Sequence, residues 1–222
     1  ILDWGCPKEK VKVLYGGVDL EEFKFRLPDI TGDSLNILSL GRLVEKKGHH
    51  VLMQAFQKVK EKFPHAKLTI IGGGEMEEQL LSLAKELKLG KSFQLLNKIP
   101  KSEVREHMAK ADLFVAASME ATNGDVEGIP NTVKEAMATG IPVISTTHAG
   151  IPELVTNNKD GILVKEGNAN QLVEAIEFMV ENRSLWESYA LNAREKVERK
   201  FDKKKQLAEQ AQIYNELLGG SK

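Results

Sequence analysis

The sequence is poor in several features that would narrow its function quickly. It contains one cysteine, Cys6, in 222 residues, which excludes an internal disulfide and fits a reducing compartment. No apolar run approaches the roughly 20 residues that a membrane-spanning helix needs. The formal net charge of −1 gives no electrostatic basis for binding nucleic acid. We therefore expect a cytoplasmic location and no nucleic-acid partner.

Short apolar segments alternate with amphipathic stretches along most of the chain. Short, mainly apolar runs at 37–40, 68–71, 93–96, 113–116, 142–145 and 161–164 are typical of buried strands. The stretches between them repeat apolar residues at helical spacing, as in Val51, Leu52, Ala55, Phe56 and Val59. This alternation predicts an α/β fold, namely a Rossmann-like, doubly wound parallel sheet of about six strands with helices on both faces.

The two ends of the chain differ from this alternating region. Residues 1–35 contain one short strand candidate, Val11–Tyr15, followed by turn-forming residues, so we predict a linker or the tail end of another domain. We assign residues 36–200 to the Rossmann-like domain and residues 201–222 to a C-terminal helix. The sequence begins with Ile1 and has no initiating Met, which indicates a piece of a longer protein.

Two carboxylates, Glu127 and Glu135, flank a Gly-Ile-Pro turn and the start of an apolar-periodic helix. On one continuous helix they would be about 12 Å apart, farther than the roughly 5–9.5 Å of a hydrolase acid/base pair. Pro130 instead favours a helix that begins there, with Glu127 on the preceding loop and Glu135 one turn inside. The first N–H groups of that helix would form an anion site. They belong to Asn131, Thr132 and Val133. Such a pair of carboxylates beside an anion site is typical of a nucleotide-sugar pocket.

Basic and glycine-rich loops follow the first two predicted strands. Gly41 and Arg42 come directly after the first strand, and Lys47 precedes the next helix. This loop either clamps a diphosphate or is an ordinary solvated basic loop. Gly72–Gly74, after the second strand, allows either close approach to a phosphate or a tight turn. Because no G-x-G-x-x-G sequence follows the first strand, a dinucleotide-dependent oxidoreductase is disfavoured.

Three further segments have weaker patterns. The backbone of Asn97–Pro100, after the third strand, either hydrogen-bonds a flat base or is a plain connection. Thr122–Asp125 is either a specificity loop or a solvated turn. No histidine has a partner at metal-ligand spacing, so we predict no metal site. We expect His148 to be structural or to line the edge of the pocket.

As a set, these motifs resemble the C-terminal, donor-binding half of family-4 retaining glycosyltransferases of the GT-B fold. Members of exopolysaccharide and colanic-acid type are the most similar, because the Thr122–Val126 loop is long. The resemblance covers nearly all of the chain. Its motifs are Gly16–Asp19 with Phe23, where the family usually has Asn-Gly-Val-Asp, then Gly41-Arg42 with Lys46–Gly48, Gly72–Gly74, Glu127–Pro130 with Glu135–Ala138, Gly140–Ile144 and Gly150–Glu153.

The resemblance implies transfer of a hexose from a UDP- or GDP-sugar to an acceptor hydroxyl. Retention at the anomeric carbon and independence of any metal or other cofactor are part of what it implies. For catalysis it implies Arg42 and Lys47 on the diphosphate and Glu127 on the sugar hydroxyls. Glu135 would bind the ribose, and the Ile99 backbone would meet the base. The remaining donor-binding positions are Gly41, Gly74, Gly128, Ile129, Pro130, Asn131, Thr132 and Val133.

A complete enzyme of this fold has an N-terminal Rossmann-like domain that holds the acceptor, a glycan or a lipid-linked sugar. Residues 1–20 resemble the end of that domain and the linker, and Lys203–Leu218 resembles the helix that returns towards it. The resemblance thus implies that this chain alone binds donor but transfers little or no sugar. It also implies an exposed apolar surface that allows self-association, and a full-length protein peripheral to the inner face of the membrane.

Two alternatives to the transferase stay open. One is a non-catalytic nucleotide-sugar-binding module, since the chain contains only binding groups. The other is a sugar-nucleotide epimerase or a phosphorylase-like relative of the GT-B fold. The Glu127–Glu135 spacing, together with Gly41-Arg42 and Lys47-Gly48, favours the transferase. The base and the sugar of the donor are not decided by these residues.

Overall fold

The structure, a computed structural model, describes residues 4–32 and 34–219. Within these ranges the strands are β1 (Leu35–Leu40), β2 (Ala66–Ile71), β3 (Phe93–Leu96), β4 (Leu113–Val115), β5 (Val143–Thr146) and β6 (Ile162–Val164). The helices are α1 (His49–Lys62), α2 (Glu77–Glu86), α3 (Lys101–Lys110), α4 (Asn131–Thr139), α5 (Ile151–Leu154), α6 (Ala169–Glu181), α7 (Trp186–Lys200) and α8 (Lys203–Leu217).

The strands form one parallel sheet in the order β3-β2-β1-β4-β5-β6. The chain therefore builds outwards from β1 on one side and then returns to build outwards from β4 on the other. Between β1 and β4, the loops that follow the two strands leave in opposite directions. In doubly wound sheets this switch point opens a crevice at the carboxyl ends of the strands, where ligands bind.

Apolar side chains cover both faces of the sheet and form two buried clusters. On β1, Leu35 and Ile37 belong to the cluster packed by α1, α2 and α6, whereas Leu38 and Leu40 belong to the cluster packed by α3, α4 and α5. Helix α7 contributes to both clusters. Successive residues of a strand point to opposite faces, so the mainly apolar strands require helices on both sides. The predicted fold class is confirmed.

One predicted strand was wrong. Val11–Tyr15 forms no strand, and Val13 is 67% exposed. This stretch runs beside α8, a helix, whose backbone offers no ladder partner, and the Tyr15 N–H donates instead to Oε1 of Gln206 at 2.9 Å. The next backbone pairing is a single bridge between Val18 and Asp202. The sequence pattern predicted a strand because it carries no information about whether a neighbouring strand is available to pair with it.

The segment before β1 is packed onto the domain. Val18 and Phe23 are buried in the second cluster, and the Phe23 side chain is 7% exposed. Helix α8, by contrast, has no buried residue, and an ion pair of 3.1 Å joins Glu216 near its end to Lys12. The boundaries proposed at residues 35 and 200 stay predictions. Across the described ranges, no helix is both long enough and apolar enough to cross a membrane.

Candidate active site

The loops after β1 and β4 meet at the switch point of the sheet. The first contains Gly41, Arg42 and Lys47, and the second ends in the Glu127–Pro130 turn that leads into α4. Each loop is held to the rest of the domain by backbone hydrogen bonds. For example, the Gly41 N–H donates to the Ile71 carbonyl at 3.1 Å, and the Met119 N–H donates to the Lys46 carbonyl at 2.9 Å. The predicted groups Gly41, Arg42, Lys47 and Glu127 thus lie on two loops that are tied together by hydrogen bonds.

The glycine-rich loop after β2 packs against the loop after β1. An added Cβ on Gly74 would lie 2.5 Å from the Leu43 carbonyl oxygen, and the Leu43 N–H donates to the Gly73 carbonyl at 3.0 Å. Packing of the two loops therefore explains why this loop consists of glycines, and a bound phosphate is not needed to explain them. The predicted contact between Gly74 and a donor stays a prediction.

A short helical turn, Glu45–Lys47, holds the long loop that precedes Glu127. Glu45 Oε2 accepts hydrogen bonds from the Thr122 N–H at 3.1 Å and from its hydroxyl at 2.8 Å. Lys46 Nζ donates to Asp125 Oδ1 at 2.9 Å and to the Val126 carbonyl at 3.1 Å. The loop at Thr122–Asp125 is therefore a tethered segment, and its part in specificity stays a prediction.

Lys47 and Glu127 form an ion pair in the crevice. The two side chains are 14% and 17% exposed, so the pair is largely shielded from water. An added Cβ on Gly41 would lie 3.2 Å from Lys47 Cδ, which shows that Gly41 leaves room for the lysine side chain. In the structure, the cation predicted for the diphosphate is thus neutralised by the carboxylate predicted for the sugar.

Arg42 differs from Lys47 in its surroundings. Its side chain is exposed, and in the described part of the chain its guanidinium has no ion pair within 4.0 Å. An exposed guanidinium with five donors can bind a diphosphate by bidentate contact. The structure therefore places one shielded cation and one exposed cation on the same loop.

Helix α4 begins at Asn131, immediately after Pro130, as the sequence predicted. Pro130 is extended and provides no side-chain cap, so the first N–H groups of the helix have no capping side chain. Glu135 lies one turn inside and is half-buried. Burial raises its pKa, and the nearby Lys101 opposes this shift. Gly128 is exposed on the turn, whereas Ile129 packs against the second cluster.

Ile99 lies apart from the crevice between β1 and β4. It is on the loop after β3, the edge strand two positions away, and its side chain packs against the second cluster. Nearby, Asn97 donates to Glu77 at 3.2 Å and accepts from the Lys98 N–H at 2.7 Å. A base would have to reach across the ends of β1 and β2 to meet Ile99, and this contact stays a prediction.

His148 has a larger part in this region than sequence analysis gave it. It is buried at 4% exposure, its Nε2 accepts from the Glu127 N–H at 3.0 Å, and its Nδ1 lies 2.6 Å from Glu166 Oε2. Glu166 was not singled out at all. Their positions could have indicated them, because His148 and Glu166 each follow a strand at the same edge of the sheet as Glu127.

We expect His49, the first residue of α1, to make the stability of the fold depend on pH. Burial, with the charge of Lys47 second, lowers its pKa to about 4. An unfolded histidine takes up a proton near pH 6.5, so between these values the unfolded state binds one more proton. We expect the free energy of unfolding to fall by about 1.4 kcal/mol per pH unit as the pH is lowered through this window.

Urea unfolding at several pH values between 7 and 4.5 measures this slope. The variant His49→Leu should lack the one-proton contribution, while His65→Leu, which changes an exposed histidine, should keep it. Equal slopes in wild type and His49→Leu would show that the buried imidazole does not titrate as described.

The fold and the crevice define a Rossmann-like domain with its polar loops gathered at the switch point. A model of the glycosyl transferases group 1 family matches residues 21–196, which is most of the chain. The chain belongs to this family.

Relatives support the exopolysaccharide and colanic-acid type. Amylovoran biosynthesis glycosyltransferase AmsK of Erwinia amylovora is 37% identical over 212 residues, 94% of this chain and 52% of that protein. The putative colanic acid biosynthesis glycosyltransferase WcaL of Salmonella typhimurium is 40% identical over 199 residues, 89% of this chain and 49% of that protein. The chain spans about half the length of these curated relatives.

Solved structures show the same fold. Anabaena Alr3699/HepE in complex with UDP has a TM-score of 0.83 at 24% identity, covering 97% of this chain and 60% of that one. The C-terminal domain of a glycosyl transferase group 1 family protein, LpcC, from Francisella tularensis has a TM-score of 0.70 at 22% identity. It covers 84% of this chain and 99% of that domain. The predicted Rossmann-like half of a GT-B glycosyltransferase is confirmed.

Proposed function

We propose that this chain is the donor-binding half of a retaining glycosyltransferase that moves a hexose from a nucleoside diphosphate sugar to an acceptor hydroxyl. The observation that carries the proposal is the Lys47–Glu127 ion pair at the switch point, in front of the N-terminus of α4. The same crevice thus contains a cation for phosphate, a carboxylate for hydroxyls and outward-facing N–H groups. Relatives named for amylovoran and colanic acid biosynthesis agree with it.

The roles follow from chemistry and exposure. Arg42 and Lys47 bind the diphosphate and stabilise charge on the leaving group, without a metal. Glu127 accepts sugar hydroxyls, and Glu135 accepts those of the ribose. The Ile99 backbone meets the base, and the backbone from Gly128 to Val133 holds sugar and phosphate oxygens. When donor binds, Lys47 exchanges part of its contact with Glu127 for a phosphate oxygen, which leaves the carboxylate available to the sugar.

Because the chain spans about half the length of these relatives, we propose that the acceptor is bound by the rest of a longer protein. We propose that the other half holds a glycan or lipid-linked acceptor, in the cytoplasm and peripheral to the membrane. The exposed apolar residues of α8 and of the segment before β1 suit a surface covered by that half or by a second copy. Among them are Val13, Leu207, Tyr214 and Leu217, with Leu218 directly after α8. Transfer by this chain alone at a rate near that of the full-length protein would contradict the proposal.

Calorimetric titration of the chain with UDP, GDP and ADP, then with their sugar conjugates, tests the donor site. One diphosphate should bind, and Arg42→Ala and Glu135→Ala should each weaken it about tenfold or more, since each removes a charge-assisted hydrogen bond. Arg199→Ala and Glu195→Ala, which change exposed charges on α7, are matched controls and should bind normally. If no nucleotide binds, a repeat with the full-length protein decides between a site completed by the other half and a wrong proposal.

A further inference from the structure

Glu127 is held through its backbone as well as through its side chain. Its N–H donates to His148 Nε2 at 3.0 Å, and His148 Nδ1 lies 2.6 Å from Glu166 Oε2. The same carboxylate oxygen of Glu166 accepts the Glu120 N–H at 2.9 Å. These contacts connect the loops that follow β4, β5 and β6 at the edge of the sheet where the crevice lies.

The hydrogen bonds define one form of the imidazole. A ring nitrogen that accepts from a backbone N–H carries no proton, so Nε2 is the acceptor. Nδ1 then carries the proton, and this N–H donates a hydrogen bond to the Glu166 carboxylate. Without Glu166 the ring could turn over or change tautomer, and Glu127 would lose its acceptor. The buried histidine therefore needs its carboxylate partner to hold the loop.

We propose that His148, oriented by Glu166, is a positioning residue for the donor sugar. It fixes the backbone of Glu127 while Lys47 fixes the carboxylate and Lys46 holds the preceding carbonyl of Val126. A carboxylate held at its backbone keeps its place when donor draws Lys47 away. This inference rests on the proposed role of Glu127 in binding the sugar.

Hydrogen exchange in the ligand-free chain tests the hydrogen bond without any donor. The Glu127 amide should be protected in the wild type and should exchange about tenfold faster or more in His148→Phe, which keeps a buried ring but has no acceptor. His148→Gln, with a side-chain oxygen of similar reach, should restore part of the protection, and Glu166→Ala should reduce it. The Asn36 amide, which donates to Asp112 Oδ2 at 2.6 Å at the opposite end of the sheet, is the internal control.

Titration with UDP and UDP-glucose, and with GDP and GDP-mannose, tests the consequence for the sugar. His148→Phe should change the affinity for the diphosphate less than about twofold but weaken the conjugate that binds by about tenfold. His148→Gln should recover most of that loss, and His65→Phe, at an exposed site, should have no effect.

Two results would overturn the inference. One is an unchanged Glu127 amide in His148→Phe, and the other is equal weakening of diphosphate and conjugate, which indicates a general structural loss. If the wild-type chain and the full-length protein bind no nucleotide, the proposed function fails instead. The exchange measurement then still decides whether His148 holds Glu127.

Discussion

Alanine at position 48 is expected to lower the free energy of unfolding by about 3 kcal/mol, from roughly 1–2 kcal/mol of backbone strain and ~1–3 kcal/mol of forced contact. Gly48 has a φ of +63°, in the left-handed region, and ends the turn that contains Lys47. An added Cβ would lie 1.9 Å from the carbonyl oxygen of Ala117, just beyond β4. The contact is therefore unavoidable unless the two loops move apart, and the strain remains as long as φ stays positive.

Gly90→Ala is the matched control for this variant. Gly90 has a similar φ of +56°, but nothing lies within 4 Å of an added Cβ. It should therefore lose only the backbone part, roughly 1–2 kcal/mol. Urea unfolding of both variants measures the difference. Equal losses of unfolding free energy in the two variants would show that the loop after β4 moves away at little cost. Gly48 would then not set the distance between the two loops.

The Gly48→Ala variant should also disturb the Lys47–Glu127 ion pair in the crevice. Lys47 precedes Gly48 directly, and Glu127 lies on the loop that also contains Ala117, so separating the loops separates the ion pair. Nucleotide affinity should fall in Gly48→Ala and stay unchanged in Gly90→Ala. The close approach of two backbones thus links stability of the fold to geometry of the crevice.

The sheet and its helices could be predicted because burial of each strand leaves a local pattern. The runs that contain Ile37, Leu68 and Val143 are mostly apolar on both faces, as is typical of parallel strands covered on both sides. Boundaries were harder to predict where a polar residue fits inside an element. Strand β1 includes Asn36, because Asp112 accepts its backbone N–H at 2.6 Å and its side-chain N–H at 2.9 Å.

Strand order and the contacts of the site could not be predicted in the same way. Apolar periodicity shows which face of an element is buried, but not which strands are neighbours. The meeting of Lys47 with Glu127 and of His148 with Glu166 depends on β1, β4, β5 and β6 lying side by side. Proximity of motifs along the chain identified Glu127 and Glu135. Proximity in the sheet was needed to identify His148.

Lys47 and Glu127 are expected to differ in their effects on ligand binding. Lys47→Met removes the cation that we propose binds phosphate, so the diphosphate should bind about tenfold more weakly or worse. Glu127→Gln removes the carboxylate that competes for Lys47, so the diphosphate should bind as tightly or more tightly, while the sugar conjugate should bind less tightly. In the full-length protein, either change should lower kcat/KM by about 10²–10³.

A double-mutant cycle separates the ion pair from these roles. Both side chains are largely buried, so removing one leaves the other shielded from water without a partner. Each single variant should therefore be destabilised, and the double variant should be less so than the sum, by on the order of 1–3 kcal/mol. Lys204→Met is the control, because Lys204 and its partner Glu21 are 74% and 77% exposed and such pairs contribute about 1 kcal/mol or less.

The two measurements together distinguish a structural pair from a functional one. Coupling in stability with normal diphosphate binding in Lys47→Met would mean that the pair only joins the two loops, and Arg42 would be the remaining cation for the donor. Coupling together with the opposite responses of Lys47→Met and Glu127→Gln would show that donor takes over the lysine. The ion pair would then be the resting form of the site, in which each charge keeps the other in place until phosphate and sugar arrive.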